Sequence, residues 1–271
     1  SEESGGTEAK AEVATLTIEP RAIDAKALTP QYVAYAVGEK FEFVDETTMT
    51  LNIEATSKSK TKTSTEEQKS RKHYRVEILA MNADDVTKLR VEFLEHVEKG
   101  KPTAANGKTY EVSFTERKAS SIVGVDGKSV LAFEADYVRD AVEDLGRGDT
   151  LEHRLAGKPL EPGTDIELTP EEINYFAKDK KLEPKVSIKY LGTTTFEGKE
   201  YGVHGIELDA YGKDKGMSIT MDLTGDVIFD PATQRGIETR LGGSIDASGN
   251  TGGAVVKGTG QFVGIKTMKK L

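Results

Sequence analysis

The chain has no cysteine and no tryptophan among its 271 residues, and only 36% of them are hydrophobic. Without cysteine there is no disulfide framework, no thiolate metal site and no cysteine nucleophile. The lack of tryptophan weakens any proposal of sugar stacking. The formal net charge is −9. Because phosphate binding needs a basic surface, this charge argues against a nucleic-acid partner.

Motifs for catalysis and metal binding are also missing. The four histidines are His73, His96, His153 and His204, and no two of them have the spacing of a zinc site. There is no phosphate loop, no complete calcium loop and no Gly-x-Ser-x-Gly nucleophile elbow. We therefore expect no metal, no cofactor and no catalytic residue.

A long one-sided strand is the clearest positive signal. From Phe41 to Ile53, one parity is apolar except at Asp45 and Thr47, and the other is mostly Glu, Thr and Asn. Successive side chains of a strand point to opposite faces, so this stretch has one apolar face and one solvated face. It is about thirteen residues long, more than twice the usual strand. Long strands of this kind are typical of antiparallel sheets that curve around an interior.

Two neighbouring segments leave alternatives open. Residues 56–70 consist almost entirely of Thr, Ser, Lys, Glu and Gln, so they form either a disordered loop or, as we favour, the tip of a long hairpin. The segment from Val86 to Glu98 could be a helix, but its apolar residues at alternate positions favour a strand. In that strand His96 falls opposite the apolar face, which predicts a solvated side chain, and the same holds for His73.

The apolar period changes to that of a helix at two places. Apolar residues from Tyr137 to Leu145 predict an amphipathic helix over Ala135–Leu145. A second helix is predicted over Pro170–Lys178, where Thr169 and Glu172 form a capping box. Between them, Gly157–Gly163 is turn-forming and is the best internal boundary.

The strand pattern resumes from Lys185 to Ile265. Glycines are dense after Gly242, which suggests curvature, bulges or close approach of backbones. Gly258, Gly260 and Gly264 leave one face of the last strand nearly bare, so that face accommodates either a packed helix or a ligand.

These patterns predict a mainly β protein. Long antiparallel strands form a strongly curved sheet or half-barrel, with two short helices between two β meanders. We divide the chain into a flexible tail (1–14), a first meander with a helix (15–156), and a second helix with a glycine-rich meander (157–271), although one continuous domain is also consistent. Two sandwich-like lobes are the alternative architecture.

The acidic Ser/Gly-rich start of the chain is similar to the spacer that follows the lipid-modified cysteine of bacterial lipoproteins. Together with the long strands and inserted helices between Tyr32 and Ile265, it resembles the lipoprotein carrier and lipoprotein-binding half-barrels of bacterial envelopes, the LolA/LppX-like fold. The resemblance implies an apolar cavity under a helical lid and an acyl chain or lipid as ligand. It also implies a periplasmic or outer-membrane lipoprotein whose signal segment has been removed and whose only membrane contact is a lost lipid anchor.

The functional prediction is a non-enzymatic extracytoplasmic binding or structural protein of the bacterial envelope, whose partner is a lipid or an envelope protein. The candidate ligand wall and lid are apolar residues of the long strand and the first helix. The wall comprises Phe41, Phe43, Met49, Leu51 and Ile53, and the lid comprises Tyr137, Val138, Ala141 and Val142. The plainer alternative is that these residues pack on one another as core.

Two other functions remain open. A carboxylate-dependent hydrolase would draw on the acidic side of the first helix, at Asp136, Asp140, Glu143 and Asp144. That pattern is also what an ordinary solvated helix face looks like. The other alternative is a protein–protein interaction module without a small ligand.

Overall fold

The computed structural model describes residues 17–58, 60–146, 151–170, 172–173, 182–214, 216–251 and 253–271. The predicted tail (1–14) lies outside them. Two α-helices are defined: α1 (Ala132–Val142), which continues as a 3₁₀ turn (Glu143–Gly146), and α2 (Leu151–Leu155). The strands are β1 (Lys40–Ser57), β2 (Lys60–Asn82), β3 (Asp85–Glu98), β4 (Lys101–Pro102), β5 (Thr109–Thr115), β6 (Lys118–Gly124), β7 (Asp165–Ile166), β8 (Leu182–Phe196), β9 (Lys199–Asp214), β10 (Met217–Phe229), β11 (Gly236–Thr251) and β12 (Ala254–Lys270).

All twelve strands belong to one antiparallel sheet that does not close. Its order is β6-β5-β3-β2-β1-β12-β11-β10-β9-β8-β7, and β4 pairs with β3. The prediction of long antiparallel strands in a curved sheet is confirmed, whereas the alternative of two sandwich-like lobes is wrong. The two meanders meet where β1 pairs with β12 in unbroken register, from Phe41 opposite Lys270 to Thr56 opposite Val255. The domain division at residue 157 stays a prediction.

The β1–β2 hairpin extends well beyond the predicted strand. The polar segment forms strand on both sides of its turn, and β2 from Lys60 to Glu67 is exposed on both faces. The expectation of a hairpin tip is therefore confirmed. The segment from Val86 to Glu98 is the strand β3, as its alternating pattern predicted.

The apolar parity of β1 faces the concave side of the sheet, where the helices lie. Phe43 stands beside Tyr74 of β2, which stands beside Phe93 of β3. The rings of Phe43 and Tyr74 stack with centroids 5.0 Å apart. The hydroxyl of Tyr74 donates a 3.0 Å hydrogen bond to the carbonyl oxygen of Ala141 in α1. This first core cluster thus fixes α1 on the sheet.

The predicted first helix is present but begins at Ala132 and ends in the 3₁₀ turn. Of the second predicted helix, Pro170 and residues 172–173 are helical, and the rest lies outside the described residues. The capping box is formed: the Thr169 amide donates to Oε2 of Glu172 at 2.7 Å, and the Glu172 amide donates to Oγ1 of Thr169 at 3.2 Å. Helix α2 was not predicted.

A second core cluster occupies the concave face of β8 to β10. Tyr190, Ile206 and Phe229 are buried there, under Leu155 of α2 and Leu160. The ring of His204 stacks on Phe229 with centroids 4.4 Å apart. The concave face is therefore covered at two separate places, by α1 over the first meander and by α2 with its following segment over the second.

The prediction that His96 is solvated is wrong, because its side chain is completely buried. The register between β2 and β3 shifts between His73 and Tyr74, so Leu94 has no partner in β2. A bulge of this kind reverses the parity of the residues that follow it. His96 consequently turns inward, where its Nδ1 lies 2.7 Å from the hydroxyl of Thr103. His73, as expected, remains partly accessible.

Glycine allows the strands of the second meander to approach closely. A Cβ at Gly243 would lie 2.0 Å from the carbonyl oxygen of Asp222 on β10. The bare face of β12 is filled by side chains of the sheet itself: Leu51 lies where a Cβ of Gly260 would stand, and the Phe262 ring does the same at Gly264. At these two positions the space is taken by neither a helix nor a ligand.

Burial makes two histidines sensitive to acid. Desolvation lowers the pKa of His204 to about 4, and it does the same for His96, where the charge of Lys72 adds to it. In the unfolded chain the side chains of these two histidines titrate near pH 6.5. As the pH falls from about 6.5 to 4, these two histidines therefore bind protons in the unfolded chain but remain neutral in the native protein. This linkage is fully favourable to folding above that window and is lost within it.

We therefore expect the free energy of unfolding to fall between pH 7.5 and 5, and His204→Phe to reduce that fall by about 1–2 kcal/mol. Urea unfolding at the two pH values measures this difference. His153→Phe, at an exposed histidine, is the matched control. If the free energy of unfolding fell equally between the two pH values in His204→Phe and in the unchanged protein, the lowered pKa of His204 would be contradicted.

Gly202 gives a test of packing. A Cβ there would lie 2.2 Å from Cζ of Phe229, whereas one at Gly236 would meet only Cγ1 of Val227 at 3.5 Å. Gly202→Ala should lower the free energy of unfolding by about 1–3 kcal/mol, since overpacking forces a buried ring to move. Gly236→Ala should leave it unchanged or slightly raised. Equal effects of the two substitutions in chemical denaturation would refute this packing.

Candidate functional site

A cavity of about 720 Å³ lies on the concave face between the two core clusters. It spans the end of α1, helix α2, the β10–β11 turn and the inner sides of β11 and β12. Most of its lining is apolar, with polar groups at intervals. The main apolar contributors are Tyr35, Phe43, Leu145, Leu168, Ile188 and Met268.

The floor of the cavity is the point where the two meanders join. Thr239 of β11 stands opposite Lys266 of β12, and Met268 stands opposite Phe43 of β1. These neighbours share the concave face because their strands pair directly. Thr239 is small, so β11 fills less of the space here than the aromatic residues do on either side.

An arginine cluster closes one end of the cavity. The guanidinium of Arg235 lies over the ring of Tyr35, 4.6 Å from its centroid, and over Phe41 at 5.1 Å. Its Nη2 donates to the carbonyl oxygen of Ala34 at 2.9 Å and to Oε2 of Glu39 at 3.1 Å. One side chain of the β10–β11 turn thereby holds the segment that leads into β1.

The ionisation of this cluster follows from its burial. Burial raises the pKa of Tyr35 to about 12, with Arg235 acting in the opposite direction. Burial also disfavours the carboxylate of Glu39. Hydrogen bonds from Lys270, the Ala36 amide and Arg235 outweigh it and lower the Glu39 pKa. Glu39 is therefore ionised and Tyr35 neutral at physiological pH, which keeps the cluster paired.

The N-terminal segment reaches the cavity by crossing the rim of the sheet. Arg21 pairs with Asp226 at 3.1 Å on the convex face, where Arg240 also contacts Asp226. Further along, the amide of Asp24 donates to Thr193 at 2.8 Å. The hydroxyl of Tyr190 on the concave face then donates to the carbonyl oxygen of Lys26 at 2.7 Å. This crossing carries Tyr32 and Tyr35 to the cavity wall.

The opposite wall is held by Arg154 of α2. Its guanidinium contacts Glu172 at 2.6 Å and donates to the carbonyl oxygen of Glu167 at 2.8 Å. Burial opposes ionisation of Glu172, but Arg154 and the Thr169 amide outweigh it and lower the pKa of this carboxyl. The capping box therefore also fixes the charged wall, and Leu168 lies between these residues on the cavity lining.

Two polar groups of the lining keep unused bonding capacity. Gln234 is only 3% exposed, and its Nε2 has no hydrogen-bond partner among the described residues. The ammonium of Lys266 lies 5.8 Å from the centroid of the Phe43 ring. In the part of the chain that the structure describes, Lys266 forms no ion pair, although Asp45 of β1 stands opposite it in the sheet. Together they supply an amide donor and a positive charge to a lining that also carries charged residues at its walls, among them Arg154, Glu172 and Asp144.

The predicted wall and lid residues lie in two separate places. Phe41, Val138, Ala141 and Val142 are buried in the first core cluster, with Tyr137 packed against it. Phe43 is the wall residue that also lines the cavity. The remaining wall residues share the concave face but lie half-buried on the hairpin arm, beyond the cavity. They are Met49, Leu51 and Ile53. Their role in ligand binding stays a prediction.

The acidic side of α1 is spread around the helix end. Asp136 is exposed and pairs with Arg139 at 2.5 Å, and Asp140 is exposed as well. Of the four predicted carboxylates, Asp144 lines the cavity. The buried carboxylate of this helix is instead Glu134, which accepts from the Tyr110 hydroxyl at 2.5 Å and the Lys108 ammonium at 2.9 Å. It is engaged as a structural anchor.

The described residues contain no group of three or more His, Cys, Asp or Glu side chains that could hold a metal ion. No helix among them has the length and apolar character needed to cross a bilayer.

Sequence reasoning missed most of the cavity. Gln234 and Arg235 lie in a turn with no recognisable motif, and Lys266 breaks the apolar alternation of β12 only once. Tyr35 belongs to an apolar run before β1 whose role depends on the distant Arg235. The sequence offers only two local signals, Gln234 in the β10–β11 turn and the single lysine, Lys266, on the inward-facing parity of β12. Both indicate a site only once the register of the strands is known.

Comparison with known proteins does not show which family this chain belongs to. No protein-family model matches the chain, and no curated protein does. Among solved structures it is similar to a DUF1329 family protein from Desulfovibrio piger, with 9% sequence identity, covering 80% of this chain and 83% of that one, at a TM-score of 0.16. A likeness at that TM-score carries no argument about function.

The arginine cluster predicts a difference between arginine and lysine. Arg235→Lys should lower the free energy of unfolding by about 1–3 kcal/mol, because the ring stacking and the forked hydrogen bonds are lost while the charge remains. Hydrogen exchange should also increase in Val33–Glu39. Arg75→Lys, at an exposed pair with Glu42, should change stability by less than about 0.5 kcal/mol. Unchanged exchange in Val33–Glu39 would contradict the tethering role of Arg235.

Proposed function

We propose that this chain is a non-enzymatic binding protein that holds an amphiphilic ligand, such as a lipid or fatty acid, in the concave cavity. The observation that carries the proposal is the cavity itself: about 720 Å³, mainly apolar, with one buried amide donor, Gln234 Nε2, that has no partner among the described residues. Ligand pockets are typically about 300–1,000 Å³ and combine apolar walls with a few polar groups that fix orientation.

The chemistry of the lining favours an amphiphile over a polar metabolite. The apolar residues Leu168, Ile188 and Met268 would contact a hydrocarbon chain. Gln234 would donate to an oxygen of the head group, which supplies the partner that its buried amide lacks, and Lys266 would favour a negatively charged head. A fully polar ligand would leave the apolar walls without a contribution to affinity.

A binding role also accounts for the carboxylates better than catalysis does. Acid–base catalysis needs paired groups whose environments separate their acidities. Glu172 is engaged by Arg154, and its pKa is lowered. Asp136 and Asp140 face solvent. The hydrolase alternative would need a carboxylate in the cavity whose pKa is raised.

The proposed location is the bacterial cell envelope, outside the cytoplasm. Its support is the acidic Ser/Gly-rich segment at residues 1–8, which is similar to the spacer of bacterial lipoproteins. The partner there would be a lipid or a lipid-bearing envelope protein.

Binding can be tested with the fluorescent fatty acid cis-parinaric acid. We expect saturable uptake by the purified chain, and Thr239→Trp should weaken it by at least about tenfold because the bulky ring fills the floor. Thr48→Trp is the matched control, since Thr48 lies at a half-buried position on the opposite face of β1. Gln234→Met, of similar size but without the donor, should weaken binding of the fatty acid more than that of a hydrocarbon probe.

Uptake that is absent, or that the two tryptophan variants share equally, would remove the cavity as the ligand site. Native mass spectrometry of protein purified from its own host adds an independent reading. A clean apo mass together with no uptake would leave a structural or protein-interaction module.

A further inference from the structure

The outer half of β2 is an unpaired strand edge. On one side β2 pairs with β1 from Lys60, opposite Ser57, to Glu77, opposite Lys40. On the other side, pairing with β3 begins only at Arg71, and the carbonyl oxygen of Lys69 accepts from the Gly100 amide at 3.0 Å. Among the residues that the structure describes, the backbone from Lys60 to Gln68 therefore presents a free edge, and edges of this kind are templates for pairing with another strand.

The direction of the free backbone groups follows from that last hydrogen bond. Because the Lys69 carbonyl points away from β1, and because successive residues of a strand alternate, the odd-numbered residues point their amide and carbonyl groups outward. The register with β1 runs without a bulge across this stretch. The outward residues are Thr61, Thr63, Thr65 and Glu67.

We propose that this edge pairs with the same edge of a second copy of the chain, antiparallel, with Ser64 on the two-fold axis. Three independent features select this register. First, the free stretch from Lys60 to Gln68 is centred on Ser64. Second, Thr61 faces Glu67 of the second copy and Thr63 faces Thr65, so every outward amide and carbonyl group finds a partner.

The third feature is charge. The stretch is basic at its start and acidic at its end, which makes it complementary to itself when reversed. In the proposed register Lys62 stands opposite Glu66 of the second copy, twice by symmetry. These are non-hydrogen-bonded pairs, in which side chains approach most closely. Within the described part of one chain, neither Lys62 nor Glu66 has an ion-pair partner.

The two-fold axis can be located by cysteine cross-linking, because the chain has no cysteine of its own. In the proposed register the two Ser64 Cα atoms are about 4.5 Å apart, within the range of a disulfide. Two copies of Thr61 are separated by about 20 Å. Ser64→Cys should form a disulfide dimer in a glutathione redox buffer, and the equally exposed Thr61→Cys should remain monomeric. Equal cross-linking of both, or of neither, would overturn the register.

Charge reversal tests the pairing without a covalent bond. In sedimentation equilibrium at low salt, Lys62→Glu and Glu66→Lys should each weaken the dimer by about tenfold, since each creates two like-charged pairs. The double variant should restore it. Lys257→Glu, which makes the same change of net charge on β12, should leave the dimer unaffected.

Removal of a single outward donor is a further test. Thr63→Pro deletes an amide that faces the second copy, while the bonds of β2 to β1 use the even-numbered residues. It should abolish the dimer and leave circular dichroism unchanged. A monomeric wild-type chain at all concentrations, or a dimer that survives both charge reversals, would refute the proposal. Neither result bears on the ligand cavity.

Discussion

The pairing of the first strand with the last is the contact on which the rest of the structure depends. β1 and β12 are the central strands of the sheet, and each meander extends outward from one of them. Even the last residue takes part, since the amide of Leu271 donates to the carbonyl oxygen of Lys40 at 2.9 Å. Because these strands lie at opposite ends of the sequence, the sheet joins only after a loop of most of the chain has closed. Folding of such a topology is expected to be slow.

The cavity follows from this construction. Each meander buries its own apolar face under its own cover, α1 on one side and α2 with its following segment on the other. At the seam between them the cavity floor carries Thr239 and Lys266, whereas a third, smaller cluster of Leu208, Ala210 and Leu223 with Phe262 packs further along the strands. The N-terminal segment crosses the rim and Arg235 fixes it there, so the gap is bounded without being filled. The space between two covered regions is therefore a consequence of how the halves meet.

The sequence predicts what depends on local periodicity and misses what depends on distant pairing. Alternation identified β1, the long hairpin and β3, and helical spacing identified α1. The bulge at Leu94 could not be foreseen, because it is defined by the register with β2, and it turned His96 inward. Helix α2, from Leu151 to Leu155, is too short to show a helical period. Of the predicted wall, Phe41 and Phe43 belong to the core cluster that α1 joins, whereas Met49, Leu51 and Ile53 lie outside it, since periodicity shows a face but not what covers it.

The two proposed sites lie at opposite ends of the long strands: the cavity at one end of β1 and β12, and the free edge on β2 beside the other end of β1. β1 runs from Phe43 at the cavity to the hairpin tip, and β12 runs back from that end to Lys266 and Met268 at the cavity floor. Pairing of two β2 edges around Ser64 would therefore join two copies at their hairpin arms. It would leave both cavities open at the far ends of one continuous sheet. The half-buried Met49, Leu51 and Ile53 lie between the two sites, on the concave face beside the edge strand. In the dimer these residues from both copies would flank the axis, which gives the polar hairpin arm a structural reason to extend so far beyond the core.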